Sequence, residues 1–176
     1  MIHAMIDLET LSTNPDAVIL TVGGVKFDPH TSMKPHDDLY FRVDVDSQTE
    51  MGRHVMQDTL DWWSQQPKEI SEEALSEQNR IGLQDMVKVI NKWCVGVDVF
   101  WCQGPLFDYA ILQNLYTQLG HPQPWQYWQI RDSRTLFSLV PRDTSNRQGH
   151  HNALQDCVYQ AKRVQEIYKQ LNVKIK

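Results

Sequence analysis

Little of what marks a membrane-bound, secreted or metal-stapled protein is found in these 176 residues. No apolar run approaches the roughly 18 residues that span a bilayer. No basic segment followed by a long apolar core opens the chain, so a secretory signal is not expected. Cysteine is scarce: Cys94, Cys102 and Cys157 are odd in number, widely spaced and form no C-x-x-C pair. That excludes a disulfide framework and a zinc ribbon, and fits a reducing cytoplasm. No D-x-[DN]-x-[DN]-G loop occurs, which removes the calcium-loop proteins. Repeats, low-complexity tracts and linkers are also lacking, so one domain over residues 1–176 is expected.

What is present is ordinary in bulk and uneven in detail. Hydrophobic residues make up 41% and charged residues 22% of the chain, values of a globular protein able to bury a core. The net charge of −5 speaks at first against a nucleic-acid partner. Its distribution changes that reading, because residues 1–98 hold 8 basic and 17 acidic side chains while residues 99–176 hold 9 and 5. An acidic protein of this kind can present one cationic face, although ordinary solvated surface explains the same numbers.

Residues 2–7 read as a short buried strand and 17–28 as a second, with Gly23-Gly24 signalling a bulge or a close backbone approach. A third strand is expected at 39–46, and short connections make these three an antiparallel meander. Helical spacing follows at 56–67 and 83–94, then a strand at 97–104 and a helix at 105–120 punctuated by Pro105 and Gly120. A fifth strand at 125–133, a short helix at 134–140 and a final helix at 152–171 complete the chain. Strands first, then strands alternating with helices, predict an α/β fold. Its central sheet is mixed and five-stranded, three strands antiparallel and then two parallel, with helices on both faces.

Asp7 and Glu9 interrupt the first strand. Side chains at i and i+2 share a face, so the two carboxylates stand side by side. Unpaired they repel, and one is driven towards its protonated form. A hard divalent cation would remove the conflict; a plain strand end emerging into water would look the same in sequence. Asp108 opens the helix after the fourth strand, where an acid also complements the helix dipole. Asp156 lies about a turn into the last helix, where Asp is disfavoured. His151 precedes it by five residues, about 140° away on a continuous helix. The two converge only if His151 belongs to the preceding loop, with Asn152 as a cap.

The ordered set, D-x-E in "IDLET", Asp108 in "GPLFDYAIL" and H-x-x-x-x-D in "HNALQD", resembles the DEDDh 3′→5′ exonucleases over nearly the whole chain. "TLDWWSQQ" and "IRDSRTL" are similar to segments of a subgroup that contains phage 3′→5′ exonucleases and a mycobacterial-type exoribonuclease. The resemblance implies a ribonuclease H-like fold and removal of nucleoside 5′-monophosphates from the free 3′ end of single-stranded DNA or RNA. It implies that Asp7, Glu9, Asp108 and Asp156 hold two Mg²⁺ or Mn²⁺, a pair suited to in-line phosphoryl displacement. His151 would be the general base, since an imidazole with an ordinary pKa near 6.5 takes a proton from water at neutral pH. Of the adjacent histidines, the spacing to Asp156 selects His151 over His150. By the same resemblance Leu8, Thr10 and Leu11 border the terminal nucleotide, Phe107 flanks it, and a homodimer is compatible with the superfamily.

Other contacts to substrate are less constrained. Trp62 and Trp63 face about 100° apart on a helix, so one can pack while the other stacks on a base, or both can be core. Arg131, Arg134, Arg142 and Arg147 form a basic segment able to meet phosphates, and the subgroup segment favours Arg131. The division between RNA and DNA, which rests on 2′-hydroxyl contacts, stays open. Two rival readings compete with the exonuclease. A haloacid-dehalogenase-type phosphatase would need D-x-D where this chain has Asp7-Leu8-Glu9. A catalytically silent nucleic-acid-binding module would not need all five acids and base, and all five are present.

Overall fold

The computed structural model describes residues 1–141 and 151–174. Its organising strand is β1 (His3–Thr10), which has no exposed residue and packs on both of its faces. Ala4, Ile6 and Leu8 enter one apolar cluster and Met5 enters another, as successive side chains on opposite faces must. β1 pairs antiparallel with β2 (Ile19–Phe27), and β2 pairs antiparallel with β3 (His36–Val43). On its other side β1 pairs parallel with β5 (Val99–Cys102), which pairs parallel with β6 (Ile130–Asp132).

Among the described residues the sheet has six strands in the order β4-β3-β2-β1-β5-β6, one more than the expected five. The addition is β4 (Arg80–Ile81), paired parallel to the edge of β3 through Arg42↔Arg80 and Val43↔Ile81. Two residues carry no alternation that a sequence could display. Tertiary contacts hold the strand instead: the Arg80 guanidinium donates to the Leu20 and Val43 carbonyls at 3.1 and 2.8 Å. The expected strand at 125–133 is shorter than predicted, because Tyr127–Gln129 coil into a 3-10 turn closed by Gln126 and Gln129.

Helices cover both faces. α4 (Leu83–Trp93) and α5 (Asp108–Gln118) pack Met86, Ile90, Ile111, Leu112 and Leu115 against Ala4, Ile6 and Leu8. Each such buried aliphatic side chain contributes about 1.5–3 kcal/mol. The opposite face is covered by α7 (Ala153–Gln170), whose Cys157, Ala161 and Val164 meet Met5, Val25 and Trp101. α2 (Gln57–Ser64) and α3 (Lys68–Leu75) close a third cluster, Trp63 and Ala74 against Leu11, Val18 and Leu20. Two short helices, α1 (Val45–Glu50) and α6 (Ser133–Phe137), complete the set among the described residues. All three cysteines are free and buried. No described helix is long and apolar enough to cross a membrane.

Gly23 decides how closely α7 approaches the sheet. A Cβ there would stand 2.5 Å from the Ala153 carbonyl oxygen and from the Leu154 nitrogen, so only glycine lets the first turn of α7 rest on β2. Gly23 pairs with Asp7 across the ladder. The same absent side chain therefore brings α7 over Asp7. A register shift between Gly24 and Lys26 supplies a bulge as well.

Candidate active site

Asp7 and Glu9 lie on the α7 face of β1, opposite Gly23 and Thr21 of β2. Asp156 reaches them from the first turns of α7. That helix begins where Asn152 caps it, its side chain accepting from the Gln155 N–H at 3.1 Å. Carboxylate oxygens of Asp7, Glu9 and Asp156 lie within 4.8 Å of one another, the one such group of three among the described residues. Asp108, buried as the first residue of α5, comes from the other side of the strand. Its Oδ1 accepts the Leu8 N–H at 3.1 Å, so the backbone between Asp7 and Glu9 aims this further carboxylate. Four acids separated by up to 149 positions (Asp7 to Asp156) thus meet at one end of β1.

Crowding and burial shape their charge. Burial holds the Asp7 carboxyl well above the usual range, with Asp108, Glu9 and Asp156 adding to the effect. Glu9 is pushed to about 9 by burial and then by Asp156 and Asp108. Burial raises Asp108 to about 7, opposed by the Leu8 N–H and the nearby Arg134 guanidinium. Such a cluster is unfavourable as a set of bare anions and favourable around a cation. Opposite ligands of a Mg²⁺ stand roughly 4.2 Å apart at metal–oxygen distances of about 2.1 Å. A cluster within 4.8 Å fits that donor set after small side-chain adjustments.

Gln160 carries no motif that singles it out in the sequence. It lies one helical turn beyond Asp156, buried, with Nε2 donating to Asp7 Oδ1 at 3.4 Å. Its Oε1 is buried with no partner among the described residues. An amide here orients Asp7 without adding a fifth negative charge. The i, i+4 spacing from Asp156 is the signal that could have found it.

His151 is exposed, at the foot of α7, with φ of +40°. Its ring meets Trp62 edge to face, centroids 4.8 Å apart. Trp62 and Trp63 divide their roles: Trp63 is buried and donates from Nε1 to the Thr10 carbonyl at 2.9 Å, whereas Trp62 is 37% exposed. Leu8, Thr10 and Leu11 are buried, so their side chains shape the strand end from within. Phe107 is half-buried at the start of α5, directly before Asp108.

The arginines separate as well. Arg131 donates to the Trp128 and Ile130 carbonyls at 2.6 and 2.9 Å and bears on Tyr168 rather than on an acid of the cluster. Arg134 is the one beside the site, donating to the Gln103 carbonyl at 3.1 Å and acting on Asp108. Asp132 caps α6, its carboxylate accepting from the Arg134 N–H and the Thr135 hydroxyl at 3.0 and 2.7 Å. Arg142, Arg147 and His150 lie outside the described residues.

Two clustered acids on a central strand of the mixed sheet are thus joined by two more from helices on its opposite faces. The chain belongs to the 3′-5′ exoribonuclease Rv2179c-like domain family, whose model matches residues 2–168. It is a 3′→5′ exonuclease. No curated protein matches the sequence. Among solved structures it is similar to exonuclease X in complex with 5′ overhanging duplex DNA, at TM-score 0.60 and 15% identity, over 98% of this chain and 94% of that one. The nuclease domain of 3′hExo, a DEDDh family member bound to rAMP, matches at TM-score 0.64 and 13% identity over 99% and 94%. Exonuclease I of E. coli with a dA16 oligonucleotide matches at 0.65 and 14%, over 96% of this chain but 41% of that longer protein. At these identities the likeness is one of fold.

Proposed function

We propose that this exonuclease is metal-dependent and removes nucleoside 5′-monophosphates one at a time from the free 3′ end of a single strand. The observation that carries the reading is the meeting of Asp7, Glu9 and Asp156 within 4.8 Å beside the buried Asp108. These four side chains would hold two Mg²⁺ or Mn²⁺. When bound, such a pair supplies positive charge to the attacking and leaving oxygens of an in-line displacement. Asp7 and Glu9, fixed on a central strand, give the site a rigid floor. Asp108 is aimed by the Leu8 N–H, and Gln160 holds one oxygen of Asp7.

His151 acts as general base and accepts the proton of the attacking water; it is exposed and lies five residues before Asp156, at the foot of α7. The terminal base stacks on the exposed face of Trp62, a role aromatics play in single-strand sites. Arg134 meets a backbone phosphate. The three buried free thiols are compatible with work in a reducing compartment. Membership in a family described as exoribonucleases favours RNA as substrate. The fold neighbours include proteins bound to rAMP and to DNA, so both sugars enter the test. Matched RNA and DNA oligonucleotides, single- and double-stranded, with free or blocked 3′ ends, should show digestion of the free-ended single strands, RNA faster. Intact strands after prolonged incubation with Mg²⁺ or Mn²⁺ would sink the proposal.

A further inference from the structure

A broad cleft lies away from the carboxylates, between the β2–β3 loop and the last turns of α7. Its charged lining consists of Lys34, Lys162, Lys169 and Glu166, with His30 and Tyr168 beside them. Glu166 is already engaged by Arg163 at 3.1 Å. None of the three lysines is in an ion pair among the described residues. The walls are fastened together: buried Gln165 donates from Nε2 to the Asp28 and Met33 carbonyls, both at 2.9 Å. Tyr168 packs edge to face with His30, centroids 5.3 Å apart. A cationic cleft runs against the sign of a chain whose net charge is −5.

This cleft is joined to the active site by one helix. Gln155, Tyr159, Lys162, Glu166 and Lys169 repeat at intervals of four and three, which makes a continuous solvent-facing stripe along α7. The stripe starts beside Asp156 and ends in the cleft. Thirteen residues separate Asp156 from Lys169, roughly 20 Å at about 1.5 Å per residue. A strand stacked at about 3.4 Å per nucleotide covers that distance in roughly six nucleotides. Tyr159, 38% exposed, stands between the two ends as an aromatic surface for a base.

We infer that the α7 stripe and its terminal cleft form a second binding site for the phosphodiester backbone of the single strand, upstream of the 3′ end being cleaved. Cations that follow a backbone, interleaved with aromatics, are the physical requirement for sequence-tolerant single-strand binding. The inference rests on the proposed activity for its substrate, but binding tests it without cleavage.

The test is fluorescence anisotropy of labelled, 3′-blocked oligonucleotides of 3 and 12 nucleotides, in EDTA, on wild type and on the triple variant Lys34→Gln, Lys162→Gln, Lys169→Gln. The 12-mer should bind wild type at least tenfold more tightly than the variant. The salt slope of its binding should fall by roughly two, at about 0.7 for each single-strand phosphate that the lysines neutralise. The trimer should bind both proteins equally. In the metal-loaded enzyme, KM for the 12-mer should rise while kcat and trimer turnover stay unchanged. Circular dichroism and melting would exclude a folding defect in the variant. Equal 12-mer affinity and salt slope for the two proteins would overturn the inference. So would an equal loss for trimer and 12-mer. A wild type that binds the 12-mer through the lysines but digests nothing would leave this site standing and defeat the proposed activity instead.

Discussion

Without metal the protein should lose stability as pH rises, and Glu9→Gln should remove much of that loss. Burial, Asp156 and Asp108 raise the Glu9 carboxyl from 4.5 to about 9. Between those values the folded state keeps a proton that the unfolded chain has released. Each pH unit in that window therefore costs the folded state up to about 1.4 kcal/mol for this one group. At pH 8 the accumulated cost has an upper bound of about 5 kcal/mol, as large as the whole stability of a weak domain. Partial solvent access to the half-buried site reduces this to the order of 2–3 kcal/mol. Asp108 adds a penalty of the same sign between 3.8 and about 7.

Glutamine keeps the shape of Glu9 and discards the charge. Since about 1 kcal/mol shifts the melting temperature of a chain this size by roughly 2–4 °C, wild type in EDTA should lose on the order of 3 °C per pH unit from pH 6 to 8. Glu9→Gln should show a clearly shallower slope and melt higher at pH 8. Manganese at about 100 times its dissociation constant should return about 2.7 kcal/mol to wild type and much less to the variant. Thermal and urea unfolding at pH 5, 6, 7 and 8, with EDTA or Mn²⁺, measure all of this. Identical pH slopes for the two proteins would refute the electrostatic reading of the cluster.

Three other substitutions separate the roles around the site. Gly23→Ala should push α7 off β2, destabilise the fold by about 1–3 kcal/mol as overpacking does, and weaken Mn²⁺ binding by calorimetry; unchanged metal affinity would show that α7 is not positioned by that contact. Gln160→Leu should weaken metal affinity by about tenfold or more, the usual effect of removing a group that orients a ligand, with melting in EDTA little changed. His151→Ala should slow turnover by roughly 10²–10⁴ and leave Mn²⁺ affinity intact, whereas Asp7→Asn should diminish both; equal metal loss in the two variants would displace His151 from the role of base.

The central strand was legible because residues 2–7 form a short apolar run broken by acids, although the strand extends to Thr10, and the i, i+2 spacing put Asp7 and Glu9 on one face. The end of α5 was legible from Gly120 and the start of α7 from Asn152, whereas α5 begins at Asp108, three residues after Pro105. Much of the remainder has no local pattern. α1 buries only Gln48, β4 is two residues made by pairing with β3, and Tyr127–Gln129 prefer a capped turn to the strand their aromatics suggest. At Asp132 the capping signal was present in "DSRT" and would have separated Asp132 and Arg134 from Arg131. The two tryptophans could not be divided from sequence, because their difference is one hydrogen bond to Thr10, 53 residues away. Gly23-Gly24 announced a close approach but not its partners, which are the first turn of α7 at Gly23 and the Trp93 ring at Gly24.

The most direct measurement follows a 5′-labelled single-stranded RNA through digestion by the purified protein, with gel and mass analysis of products, across a titration of Mn²⁺ from EDTA to saturation. The expected result is a ladder shortening one nucleotide at a time from the 3′ end, release of nucleoside 5′-monophosphates, no reaction in EDTA, and none for Asp7→Asn. Internal cuts, shortening from the 5′ end, or full digestion in EDTA would contradict it.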